Sequence, residues 1–261
     1  MYEDYVTFDL EMTGTKLKED RILEIGACKV RSGEVTDTFH TMVNPGREIP
    51  EFITTLTGIT QEEVQDAPGQ EEAVRAFLDF AGEDVLIGHN VMYDYSFIKV
   101  VATNHDMDFH NLTLDTLKIA RCLLPEEQSK KLESLSAYYN IEHHAHRGLQ
   151  DALATHMVYQ RLLKDFGEPE EYKDVFIPKV IEIRPKKSGP ATKGQIVRLQ
   201  RLAELYKEPL TVDLETLTRS EASRMADRMV AKYGIIDGVS ALKRPARRRA
   251  QKEDPRKDAS K

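Results

Sequence analysis

The chain has 261 residues, 40% of them hydrophobic, with a formal net charge of −7, enough apolar material for one large or two modest domains with a proper core. No apolar run approaches the ~20 residues that span a bilayer, which excludes a membrane-spanning helix, and the opening MYEDYVTF lacks the basic and apolar parts of a secretory leader, so a cytoplasmic location is expected. The charge is uneven: residues 1–178 carry 16 Lys and Arg against 33 Asp and Glu, whereas residues 179–261 carry 21 against 11, so the two parts face different partners.

Tyr5 to Leu10 is predicted as a short strand ended by the turn Thr13-Gly14-Thr15. Strand side chains alternate, so Asp9 and Glu11 share one face while Phe8 and Leu10 point the other way. Two adjacent carboxylates repel each other, and something positive should sit between them. RILEIGACKV and VTDTFHTMV follow as strands joined by a turn at residues 31–34, an antiparallel meander that NPGREIP breaks. Thr60-Gln61-Glu62-Glu63 has the capping-box pattern, and EEAVRAFLDFAG shows helical spacing of Val74, Phe77, Leu78 and Ala81.

DVLIGHN is a predicted buried strand leading by one crossover into a helix from YSFIKVVATNH. LDTLKIARCLL, KLESLSAYYNI and the long amphipathic LQDALATHMVYQRLLKDF are further helices. Strands first and helices later predict an α/β protein, a mixed sheet flanked by helices. Cys28 and Cys122 lie in apolar segments and are expected to be small buried residues, with no disulfide or zinc site. Residues 167–191, ending in RPKKSGPA, are expected to form a linker. Beyond it, Thr192 and Thr218 open two capping boxes, each before an amphipathic helix, giving a small helical module over 192–234. Residues 235–261 read as a basic, disordered tail.

The chemistry gathers at a few positions. The crossover strand ends in His89-Asn90, Asp94 opens the next helix, and His146 lies in a loop five residues before Asp151 in the first turns of the long helix. Four carboxylates from a strand and two helices, with a loop histidine, are what metal-assisted phosphoryl chemistry requires. Two Mg²⁺ or Mn²⁺ ions about 4 Å apart can activate a water and stabilise a leaving oxygen. An imidazole with a pKa of about 6.5 is a suitable base for that water. His143 and His144 are expected to be solvated neighbours in the same loop.

FDLEMTG, GHNVMYDYSF and HRGLQDALAT, with intervening stretches from about residue 4 to 165, resemble the DnaQ-like DEDD exonucleases of the DEDDh branch, and within it the proofreading epsilon-type exonucleases of bacterial DNA polymerase III. The resemblance implies a ribonuclease H-like fold with a mixed five-stranded sheet over residues 1–166. It also implies 3′→5′ release of 5′-mononucleotides from single-stranded DNA ends. By motif, Asp9, Glu11, Asp94 and Asp151 would be metal ligands, Asp9 bridging both ions, and His146 the general base, with Glu11 also counted as catalytic. Met12, Thr13, Gly14, Leu56, Thr57 and Gly58 would line the terminal-nucleotide pocket, and His89, Asn90 and Tyr93 would flank the second metal position. Met12 in DLEMTG is similar to oligoribonuclease, which opens the alternative of an RNA-trimming enzyme. A non-catalytic subunit bound to a DNA polymerase is a further alternative. The basic module and tail are expected to hold the nucleic-acid strand.

Overall fold

A computed structural model describes residues 2–234, and the expected basic tail lies outside them. Strands β1 (Tyr5–Met12), β2 (Ile22–Arg31) and β3 (Glu34–Met42) form the antiparallel meander; β4 (Leu86–Gly88) and β5 (Thr113–Asp115) complete the five-stranded sheet in the order β3-β2-β1-β4-β5. β4 runs parallel to both β1 and β5. This is the mixed, helix-flanked sheet expected from the sequence.

β5 was hidden inside what reads as a helix. Thr113–Asp115 pairs with β4 and is fully buried, and α5 (Thr116–Leu123) starts immediately after it, capped by the Asp115 carboxylate, which accepts from Leu117 and Lys118 N–H. Three residues are too few to show a strand period of their own. A short helix α1 (Glu51–Thr57) also occupies the region after the meander, followed by α2 (Gln61–Val64) in its Thr60 capping box.

The alternation of β1 sorts the core into two layers. Val6, Phe8 and Leu10 pack beneath α3 (Gln70–Ala81) and α4 (Met92–Asn104), where Val74, Phe77, Ile98 and Ala102 close the layer. Tyr5 and Cys28 face the second layer, formed with α5, α6 (Leu132–Tyr138) and α7 (Gly148–Phe166) through Ile119, Leu135, Val158 and Leu162. Cys122, by contrast, is exposed, because it lies on the outer side of α5.

α7 lies unusually close to the sheet. A Cβ on Gly26 would stand 2.0 Å from the Leu149 backbone nitrogen, and one on Gly148 would stand 3.2 Å from the Asp9 carbonyl oxygen. Glycine at both positions lets the helix start directly over Asp9, whose register partner on β2 is Gly26. The Thr7 hydroxyl donates to the Ala152 carbonyl at 2.9 Å and ties the next turn of the helix down.

Residues 167–191 adhere to the domain. Phe176 and Ile181 are buried, and Thr113 and Lys179 exchange backbone hydrogen bonds of 2.9 and 2.8 Å along the edge of β5. Helices α8 (Lys193–Tyr206) and α9 (Arg219–Tyr233) each begin in the expected capping box and share a core of Leu199, Leu202, Leu217, Ala222 and Met229. This helix pair is docked onto the sheet domain: Asp213 N–H donates to the Gly46 carbonyl at 2.7 Å, and Glu48 N–H to the Thr211 carbonyl at 3.1 Å. No helix of the described residues is long and apolar enough to cross a membrane.

Candidate active site

Carboxylate oxygens of Asp9, Glu11 and Asp151 all lie within 4.8 Å of one another. β1 supplies the first two from one face, and the close seating of α7 brings the third down onto them from its first turn. Asp94, buried in the first turn of α4, lies close enough for its charge to act on Asp9 and Glu11. Three of the four expected acids therefore meet, and the charge of the fourth reaches them.

Their electrostatics are those of a site short of positive charge. Burial, then the charges of Asp94, Asp151 and Glu11, push the Asp9 carboxyl well above its ordinary value. Burial, then Asp151 and Glu24, push Glu11 up to about 8, against a small opposing pull from Arg147. Burial pushes Asp94 to about 8 as well, and its two backbone hydrogen bonds only partly offset this. Hard oxygen donors clustered this tightly fit Mg²⁺ or Mn²⁺, and a divalent cation would relieve the repulsion.

The histidines are arranged differently from the expectation. His143 is not a solvated neighbour: its side chain is only 4% exposed, and Nε2–H donates to Asp151 Oδ1 at 2.7 Å. The other Asp151 oxygen accepts the Arg147 backbone N–H at 2.9 Å, so the carboxylate is fixed from two sides. His144 is exposed, as expected. His146 stands exposed in the left-handed region at φ 67° and projects from the loop that leads into α7. Its neighbour Arg147 reaches back instead, its Nε 3.4 Å from the carboxylate of Glu24.

Glu24 is a further acid at the site that no motif marks. It is 1% exposed, pairs in register with Glu11, and accepts from His40 Nε2 at 2.7 Å. The available signal is an acid between Leu23 and Ile25, on the same strand face as Gly26, in the apolar first half of the strand.

The expected substrate-binding residues divide in two. Leu56, Gly58, Asn90 and Tyr93 are exposed, and Met12 and Gly14 half-buried, so these present surface. Thr13 and Thr57 are buried and committed internally: Thr13 Oγ1 accepts the Arg21 N–H at 2.9 Å, and Thr57 Oγ1 donates to the Ile53 carbonyl at 2.9 Å. His89 is likewise turned away from a flanking role. Its Nε2–H donates to the Lys130 carbonyl at 2.9 Å, its Nδ1 lies 2.9 Å from Thr116 Oγ1, and burial lowers its pKa, so it is a neutral tie between β4 and α5.

Residues 6–159 match the RNase_T exonuclease family model. The chain is 41% identical over 167 residues to a PolC-type DNA polymerase III of Caldanaerobacter subterraneus subsp. tengcongensis, a match that covers 63% of this chain and 12% of the relative's length. Its fold is similar to that of exonuclease X in complex with 5′-overhanging duplex DNA (TM-score 0.52, 21% identity, 64% of this chain and 96% of that one). It is also similar to that of apo exonuclease I (TM-score 0.57, 20% identity, 67% and 45%). The resemblance to DnaQ-like 3′→5′ exonucleases is borne out.

Proposed function

The chain belongs to the RNase_T exonuclease family, and from that premise we propose that it removes 5′-mononucleotides from the 3′ ends of single-stranded DNA by metal-assisted hydrolysis. The observation that carries the reading is the convergence of Asp9, Glu11 and Asp151 within 4.8 Å, with the charge of buried Asp94 acting on Asp9. Asp9, Glu11, Asp94 and Asp151 would hold two Mg²⁺ or Mn²⁺ ions, Asp9 contributing to both. When bound, such ions supply charge for a developing oxyanion and lower the pKa of water.

The chain's own residues do the rest. His146, exposed in the loop that leads into α7, takes the proton of the attacking water at a ring nitrogen. His143 and the Arg147 N–H keep the Asp151 carboxylate in one orientation. The exposed faces of Met12, Leu56 and Tyr93 offer apolar and aromatic surface against which a terminal sugar and base can pack. The similarity to a segment of a DNA polymerase III supports work on DNA in proofreading, repair or end trimming, in the cytoplasm and with a polymerase as partner.

The test is a gel assay of 5′-labelled single-stranded DNA and RNA of one sequence with Mg²⁺, Mn²⁺ or EDTA, for the native chain and Asp9→Ala. A metal-dependent ladder shortening from the 3′ end of DNA and lost in the variant is expected. Preference for the RNA strand would move the assignment to RNA trimming, and no product from either strand would refute it.

A further inference from the structure

We propose that the C-terminal helix pair braces the loop joining β1 to β2, with Glu221 as the positioning residue that keeps this loop shaped for the terminal nucleotide. The proposal rests on the exonuclease reading for the loop's role, but the brace itself stands on contacts alone.

Glu221, on α9, is 5% exposed and is sandwiched by two arginines of the sheet domain. Arg21 Nη2 lies 2.6 and 2.7 Å from its two oxygens, and Arg47 Nη2 lies 3.0 Å away. Arg21 closes the loop that begins at Thr13. The Thr13 N–H donates to the Arg21 carbonyl at 2.8 Å, and the Arg21 N–H donates to the Thr13 hydroxyl at 2.9 Å. Within the loop the Lys16 N–H donates to Asp20 Oδ2 at 2.7 Å, and a Cβ on Gly14 would stand 2.5 Å from that same oxygen. Gly14 and Asp20 are thus packed face to face, and Arg21 cannot shift without moving Thr13 and its neighbour Met12.

α9 grips the loop's middle as well. Arg224 of α9 donates to the Lys18 carbonyl and Arg228 of α9 lies 3.2 Å from the Glu19 carboxylate, while Arg47 of the sheet domain donates to the Glu19 carbonyl. Arg224 and Arg228 of the helix pair are therefore engaged within the protein, where they hold a loop. A buried ion pair stripped of one partner leaves uncompensated charge, so the three residues act as a unit.

The experiment uses the full chain. Glu221→Gln keeps an N3 side chain able to serve the Thr218 capping box while removing the charge that both arginines need. Arg224→Ala/Arg228→Ala releases the grip from the other side. The substrate is the p-nitrophenyl ester of thymidine 5′-monophosphate with Mn²⁺, which fills only the terminal-nucleotide site; the second readout is the rate of tryptic cleavage at Lys16 and Lys18. Both variants should raise KM for the ester by about fivefold with kcat nearly unchanged, and should speed cleavage by a similar factor. Unchanged KM with faster cleavage would overturn the loop's link to substrate, and unchanged cleavage would overturn the brace. An ester untouched by the native chain would refute the exonuclease reading, and the cleavage rates would still decide the brace.

Discussion

Without divalent metal, the protein should lose stability as the pH rises from 6 to 8. Glu11 and Asp94 are each pushed to about 8 in the fold, whereas in the unfolded chain they return to ordinary carboxyl values of 4.5 and 3.8. Between those limits each acid is protonated in the native state and ionised in the unfolded one. The native state therefore binds more protons, and raising the pH favours unfolding. One such group forfeits roughly 2 kcal/mol between pH 6 and pH 8, which corresponds to roughly 4–8 °C in Tm for a chain of this size. Asp9 adds to the trend in the same direction. Thermal melts in EDTA at pH 6, 7 and 8 measure the slope, and parallel melts with millimolar Mg²⁺ or Mn²⁺ should recover most of the loss at pH 8, where the ionised acids bind a cation best. A metal-free Tm that is flat or rises over this interval would refute the claim that these carboxylates are held together against their own repulsion.

Three further outcomes follow from the same geometry. Asp9→Asn should abolish nuclease activity by at least about 100-fold yet raise the Tm in EDTA at pH 8, since it deletes one member of a repelling set; a lowered Tm there would contradict the electrostatic account. Gly26→Ala would place a Cβ 2.0 Å from the Leu149 nitrogen and should cost about 3 kcal/mol or more in urea denaturation, with activity falling as α7 and Asp151 lift away. The Tm gap between the native chain and Glu221→Gln should be full at neutral pH and close in acid. Burial pushes Glu221 up, but Arg21 and the Thr218 hydrogen bonds outweigh it and hold its pKa below the ordinary 4.5, so its stabilisation is lost only as the pH falls through that lower value.

Local patterns carried most of the catalytic region. The alternation of β1 put Asp9 and Glu11 on one face, and three capping boxes, at Thr60, Thr192 and Thr218, open helices where their spacing says. β5 stayed hidden because its three residues are buried through pairing with β4, a tertiary cause with no local period. The burial of His143 has a related cause. Nothing in HHAH distinguishes one imidazole from another; only in the fold does residue 143 meet Asp151 while residue 146 stays exposed.

The same limit explains the C-terminal helices. Their own core and caps are written in short-range patterns, so they read as a separate basic module suited to holding a strand. The contacts that dock them join Glu221 to Arg21 and Arg47, 200 and 174 residues earlier in the chain. A surplus of Lys and Arg over a segment says how much positive charge is present, and it does not say whether that charge faces phosphate or an acid of the same molecule. Here a buried glutamate within the basic segment takes up two arginines of the acidic domain, the reverse of what the two net charges suggest. Net charge by segment therefore guides expectations about long-range attraction, whereas the position of single buried pairs decides which surface remains free to meet a substrate.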